Sequence, residues 1–260
     1  MEIFSTDQLI EKLKTIRSMG WVKGSRPGNH GSVGNTIEDI LGIEENNLPI
    51  PNAAEWELKC SRKNSVSLVT LLHCEPSPKA IKFVPNILLP KYGWSHKQAG
   101  VKHPLTEKSF RQTISCLSYS DRGFIVELDK INQKITISFN KNYVGNHHQD
   151  WLKSVQKTIG LKQLNPQPYW GFDDIFYKVA AKLHNCFYLL ADAKKENGIE
   201  FFKYDDIYKC VGVSKNNFLD CIKKGVILLD FDARTGHNHG TKFRIRSGCI
   251  PKLYEKVQLL

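Results

Sequence analysis

No Cys-x-x-Cys pair occurs in the sequence, although it holds seven cysteines in 260 residues. Zinc ribbons and thioredoxin-like sites are built on that spacing, so neither is supported. Cys60, Cys74, Cys116, Cys186, Cys210, Cys221 and Cys249 are an odd and scattered set, which fits reduced, mostly buried thiols in a cytoplasmic protein. Long apolar runs are lacking too; none approaches the ~20 residues that span a bilayer. No basic-then-apolar leader precedes the first amphipathic segment, so the expectation is a cytoplasmic, bacterial protein without a membrane partner. Internal repeats and low-complexity tracts are also missing. Acidic side chains are in short supply, with 26 Asp+Glu against 37 Lys+Arg and a net charge of +11. That surplus favours a polyanionic partner, nucleic acid ahead of acidic membrane.

What is present reads as alternating helices and strands. Ser5 to Met19 has capping-box spacing at Ser5 and Gln8, with Leu9, Ile10, Leu13 and Ile16 on one stripe. A basic, Gly-rich loop follows (Lys23 to Gly31), fitting neither phosphate-loop pattern. Asn35 to Gly42 reads as a short helix with Ile37, Ile40 and Leu41 toward the core. Glu55 to Cys60 alternates as a strand, Trp56, Leu58 and Cys60 facing one way and Glu55, Glu57 and Lys59 the other. Ser65 to His73 is expected to be its hairpin partner. Phe124–Leu128 and Lys134–Phe139 form a hairpin across a turn at Asp129 to Gln133. The Pro-punctuated connector Leu164 to Pro168 suggests a boundary, giving a lobe over 1–165 and a second over 166–260. Beyond it come a helix from Phe172 to Leu183, strands at Cys186–Ala191, Phe201–Tyr204, Val226–Asp232 and Thr241–Arg246, a short helix at Asn217–Lys224, and a closing helix at Ile250–Val257. The mix is α/β or α+β with two lobes.

Two constellations carry chemistry. The first is Glu38, Asn52, Glu57 and Lys59. A helix carboxylate, a residue at a turn and a rigid Glu-x-Lys strand can converge on one phosphate. Glu57 and the Leu58 main-chain carbonyl are oxygen donors for a hard divalent cation. Lys59 can orient or polarise an attacking water. A local ion pair on a solvated strand face is the plainer alternative.

The second constellation runs from Asp230 to Arg244, where acids, imidazoles, Arg and Lys crowd an expected loop between two strands. Base reading motivates this mix best. Arg reaches guanine O6 and N7 in bidentate fashion, His donates to acceptors and Asp accepts from cytosine N4, whereas phosphate binding needs only the cations. A metal role for His237 and His239, or a purely structural one, stays open.

On these stretches the chain resembles the MvaI/BcnI family of type II restriction endonucleases, relatives of the MutH repair nickase. The resemblance is carried by G-x-x-x-E (Gly34 to Glu38), L-G-I-x-E-x-N (Leu41 to Asn47), E-L-K (Glu57 to Lys59) and S-L-V-T-L-L-H (Ser67 to His73). It continues through Y-W-x-F-D (Tyr169 to Asp173), H-x-H-G-T-x-F-R-I (His237 to Ile245) and the terminal segment. It implies an α/β, MutH-like nuclease fold, a mixed central sheet with flanking helices and two lobes around a DNA cleft. It implies a catalytic lobe (1–165) and a recognition lobe (166–260) in a monomer that uses Mg²⁺. Such an enzyme cuts the two strands of a short, C/G-rich, nearly palindromic duplex site in turn, beside a cognate methyltransferase. By position, Glu57 and Lys59 match the family's D-x(n)-E-x-K motif and Glu38 its helix Glu. Asn52, Glu57 and Leu58 match its metal ligands. His73, Asp230, Asp232, His237, His239 and Arg244 match DNA-reading positions.

One position departs. Asn52 stands where the family has a metal-binding Asp, and hard divalent cations prefer a charged oxygen. The expectation is weak or absent cleavage with DNA binding kept, through either an engineered Asp-to-Asn change or a natural variant that recruits Glu55, Asp39 or Glu45. A MutH-like repair nickase and a DNA-binding protein without catalysis are the alternatives.

Overall fold

Ser5 caps the first helix reciprocally: its hydroxyl accepts from the Gln8 N–H, and the Gln8 side chain accepts from the Ser5 N–H at 2.8 Å. The stripe Leu9, Leu13 and Ile16 is buried beneath it, each side chain contributing about 2 kcal/mol. In the computed structural model the described residues are 4–26, 28, 31–43, 51, 53 and 55–260. In chain order the elements are α1 (Thr6–Ser18), β1 (Trp21–Lys23), α2 (Ser32–Leu41), β2 (Glu57–Arg62), β3 (Leu68–His73), α3 (Leu89–Tyr92), β4 (Trp94–Ser95) and β5 (Lys108–Ile114). Next are β6 (Arg122–Asp129), β7 (Lys134–Val144), α4 (Gln149–Ile159), β8 (Tyr169–Gly171), α5 (Phe172–Leu183), β9 (Asn185–Glu196) and β10 (Ile199–Val213). The last are α6 (Lys215–Lys223), β11 (Ile227–Arg234), β12 (His237–Arg246) and β13 (Tyr254–Leu259).

The chain folds as two compact units, each built from discontinuous segments. The first comprises Met1–Val69, Tyr177–Phe218 and Ile245–Leu260; the second comprises Thr70–Phe176 and Leu219–Arg244.

In the first unit a mixed sheet runs β1-β10-β9-β2, with β13 also on β10. β2 lies parallel to β9, aligning Glu57 with Cys186 and Lys59 with Tyr188. One side of this sheet packs Leu58, Phe187, Leu189 and Phe202 against α1 and α2 residues such as Leu13, Val33 and Ile37. Leu58 and Trp56 do share that core, as their alternation predicts. Ile40 does not join it; it is exposed while Ile37 and Leu41 are buried. Gly42 closes α2 in the left-handed region at φ 68°.

Two further expectations are corrected here. β3 is not the hairpin partner of β2, because β2 takes the parallel place beside β9 and β3 pairs with β12 in another sheet. The closing segment is not a helix: Ile250–Leu253 makes one 3₁₀ turn, and Tyr254–Leu259 adds to β10 as an antiparallel strand.

In the second unit one sheet runs β3-β12-β11-β5-β4 and another β6-β7-β8. The expected β6–β7 hairpin forms, its turn tied by the Asp129 carboxylate accepting from the Ile131 and Asn132 N–H groups at 3.0 and 2.9 Å. Buried aromatics fill the space beneath, with Phe110 edge-on to both Phe124 and Phe231.

Candidate nuclease centre and base-reading hairpin

Glu57 opens β2, at the edge of the first unit's sheet, and is 1% exposed. The sequence puts it on the face away from the core, yet this face is covered as well. Cys186 stands beside it in register, and the Glu57 charge helps hold the Cys186 and Tyr254 acids protonated, burial being the larger cause. Burial likewise raises the Cys210 thiol, to about 12. A carboxylate over such neutral, apolar neighbours needs cations. Two are supplied. Lys59 Nζ lies 2.7 Å from Glu57 Oε1 and Lys182 Nζ 3.6 Å from the same oxygen, with side chains 18% and 17% exposed. Counting Glu57, Lys59 and Lys182, the cluster carries a formal charge of +1, suited to an anionic phosphate.

Lys182 is the residue that sequence reading missed. It sits on α5 among residues whose helical period was read for its apolar face, and its partner is more than a hundred positions away. Glu38, on α2, is half-buried and acts on the neighbouring strand: burial and then its carboxylate push the Cys60 thiol well above its usual value. Asn52 lies outside the described residues, as does Glu45, so their placement beside Glu57 is not part of this geometry.

The second constellation is a β-hairpin rather than a loop. β11 and β12 are joined across Thr235-Gly236, where Gly236 takes φ +70°. Acids and cations alternate across three strands. Asp230 accepts from the Thr113 hydroxyl at 2.9 Å and from Arg244 Nη1 at 3.3 Å. Asp232 meets Arg111 Nε at 2.9 Å, Arg111 Nη2 at 3.2 Å and Lys242 Nζ at 3.6 Å. Thus Asp230 and Asp232 spend acceptor capacity on holding Arg244, Arg111 and Lys242 in place, which pre-orients the cations. Arg111 and Thr113 were not singled out from the sequence, since cross-strand partners are not adjacent in it, and Lys242, within the second constellation, was given no role there.

At the far end of β12, His237 and His239 are exposed, their rings edge-on at 4.2 Å. Gly240, at φ +81°, separates them from the regular strand, so side-chain alternation does not carry through. His73, exposed at the end of β3, borders Gly240: a Cβ there would lie 3.5 Å from its ring. Glu75 braces this point, accepting from the Thr241 N–H at 2.9 Å and the Thr241 hydroxyl at 3.2 Å. The structure thus brings His73, His239 and the Gly240 backbone into one neighbourhood, and Asp230 with Arg244 into another on the same sheet.

A model of the MvaI/BcnI restriction endonuclease family matches residues 10–254. The chain belongs to this family. It is a type II site-specific nuclease acting on DNA. A solved structure described as the restriction endonuclease MvaI in complex with cognate DNA is similar with a TM-score of 0.75 and 22% identity, over 98% of this chain and 99% of that one. MvaI in the absence of DNA is similar with a TM-score of 0.54 and 20% identity, over 100% of this chain and 99% of that one. No curated protein matches. These likenesses establish the nuclease fold, with its mixed α/β architecture. No helix among the described residues is long and apolar enough to cross a membrane.

Proposed function

We propose that this member of the family hydrolyses phosphodiester bonds of duplex DNA at a short, C/G-rich, nearly palindromic site. In this reading a monomer uses Mg²⁺ and cuts the two strands in turn, and Asn52 weakens cleavage. The observation that carries it is the buried Glu57 carboxylate held by Lys59 and Lys182 at the sheet edge. A purely structural ion pair needs one cation, and burying one carboxylate with two half-buried ammonium groups is costly without a use for them.

The Glu57 carboxylate and the Leu58 carbonyl are oxygen donors of the kind a hard divalent ion takes, and by the family resemblance the Asn52 side chain would be a third. They are one negative charge short of the family's set, which is the basis for expecting weak cutting. When bound, Mg²⁺ would neutralise charge building on the phosphate. The protein's own groups supply the rest. Lys59 orients the attacking water and Lys182 faces the phosphate oxygens with a second ammonium. Burial of Glu57 keeps bulk water from screening either interaction.

The recognition role falls to β11 and β12. Arg244, held by Asp230, presents a fixed fork for guanine, and His237, His239 and His73 offer adaptable donors at exposed positions. We assign catalysis to the first unit and base reading to the second. The second reading, a DNA-binding protein without catalysis, is favoured by Asn52 alone. A digest of a mapped plasmid by Asn52→Asp with Mg²⁺ tests the assignment. Fragments ending at one recurring C/G-rich sequence are expected; random degradation would overturn it.

A further inference from the structure

The second unit gathers three side chains of metal-ligand type that neither candidate site uses. Asp121 lies in the turn that opens β6, and His147 and His148 close the 3₁₀ turn Asn146–His148 that leads into α4. One ligand atom from each lies within 4.8 Å of the other two. His147 Nε2 is 3.9 Å from Asp121 Oδ2, and the two imidazole rings are 4.0 Å apart between centroids. Their backbones are already joined: the Gly145 N–H donates to the Asp121 carbonyl at 2.9 Å, and the His148 N–H to the Gly145 carbonyl at 2.9 Å. The neighbouring Arg122 guanidinium lies 3.8 Å from the Trp94 ring centroid and 5.5 Å from that of Trp151, and it is close enough to Asp121 and His148 to interact electrostatically with both.

We propose that Asp121, His147 and His148 form a binding site for a transition-metal ion of the zinc class, separate from the oxygen-only nuclease centre. Two imidazoles and one carboxylate suit Zn²⁺, Co²⁺, Ni²⁺ or Cu²⁺, whereas Mg²⁺ and Ca²⁺ take oxygen donors. Bonds of about 2.0–2.2 Å set tetrahedral ligands ~3.3 Å apart. The three groups therefore need to close by at most about 1.5 Å, which rotations of the exposed Asp121 and His147 side chains toward the half-buried His148 supply. His147 and Asp121 are 66% and 80% exposed, so an ion reaches them from solvent. Water completes the coordination. Bound there, the ion cross-links the turn before β6 to the start of α4.

Cobalt tests this, because Co²⁺ replaces Zn²⁺ and absorbs visibly in a tetrahedral nitrogen-containing site. Titrating the full chain with Co²⁺, without DNA, is expected to give d–d bands that saturate near one equivalent and vanish on adding Zn²⁺. His147→Ala and Asp121→Asn, shown to be folded by circular dichroism, are each expected to weaken Co²⁺ binding at least about tenfold. Glu57→Gln is expected to leave the bands intact. No bands with the native chain, bands unaltered in folded His147→Ala, or bands lost with Glu57→Gln would each overturn the proposal. His148→Ala is a further arm. Its ring lies 6.4 Å from that of Trp151, and if that variant fails to fold, the exposed His147 and Asp121 variants decide the matter.

Discussion

Glu57→Gln removes one charge from a carboxylate that is 1% exposed and holds two ammonium groups, at 2.7 and 3.6 Å. With an effective dielectric near 20, those separations correspond to attractions of about 6 and about 5 kcal/mol. Desolvating the carboxylate offsets much of this, and removing one partner of a buried pair costs about 3–5 kcal/mol in practice. Lys59 and Lys182 keep 18% and 17% of their side-chain surface exposed and can turn toward water, which places the cost at the lower end, about 3 kcal/mol. For a chain of this size that lowers Tm by about 6 °C. Differential scanning calorimetry of the metal-free, DNA-free chain measures it. DNA binding should hold or tighten in the same variant, since the cluster moves from +1 to +2. A Tm within about 1 °C of the native chain would refute the reasoning, because Glu57 would then not be holding two half-buried cations.

Lys182→Met, made together with Asn52→Asp, is expected to slow plasmid cleavage about 10²-fold while Tm moves little, because Glu57 retains Lys59; unchanged cleavage would remove Lys182 from the centre. Asp230→Asn should loosen Arg244 and cut discrimination against single-base variants of the site by about 1–3 kcal/mol, read by competition binding, with non-specific affinity kept. Glu75→Gln weakens the charge-assisted bonds to Thr241 and should cost about 1–2 kcal/mol, with faster exchange of the Thr241 amide as a direct readout. Duplex binding should fall roughly 10³-fold or more between 50 and 200 mM salt; a flat dependence would contradict phosphate-dominated binding.

Elements fixed by local chemistry were legible in the sequence. The Ser5–Gln8 box, the Asp129 turn and the apolar period of Phe172 to Leu183 each act within a few residues, and each forms the element its spacing predicts. Pairing over long distances was not legible. β2 and β3 are neighbours in sequence with strand-like patterns, yet β2 finds β9 more than a hundred residues on, and β3 finds β12. At the C-terminus the local signal points the wrong way. Ile250, Leu253, Tyr254 and Val257 are spaced i, i+3, i+4, i+7, a helical stripe. The open edge of β10 nevertheless takes Tyr254–Leu259 as a strand, and tertiary pairing overrides the pattern. The site divides the same way. Glu57 and Lys59 stand two apart on one strand and were readable, while Lys182, Thr113, Arg111 and Glu75 meet their partners only through the fold.

Cleavage of a supercoiled plasmid bearing the recognised site, followed with Mg²⁺ for Asn52→Asp and for Asn52→Asp with Lys59→Ala, bears most directly on the nuclease centre. Asn52→Asp is expected to cut well above the native chain, and adding Lys59→Ala to abolish cutting while a gel-shift assay shows duplex binding unchanged. Equal, negligible cutting by the native chain and Asn52→Asp, or full cutting without Lys59, would contradict the assignment of Glu57 and Lys59 to catalysis.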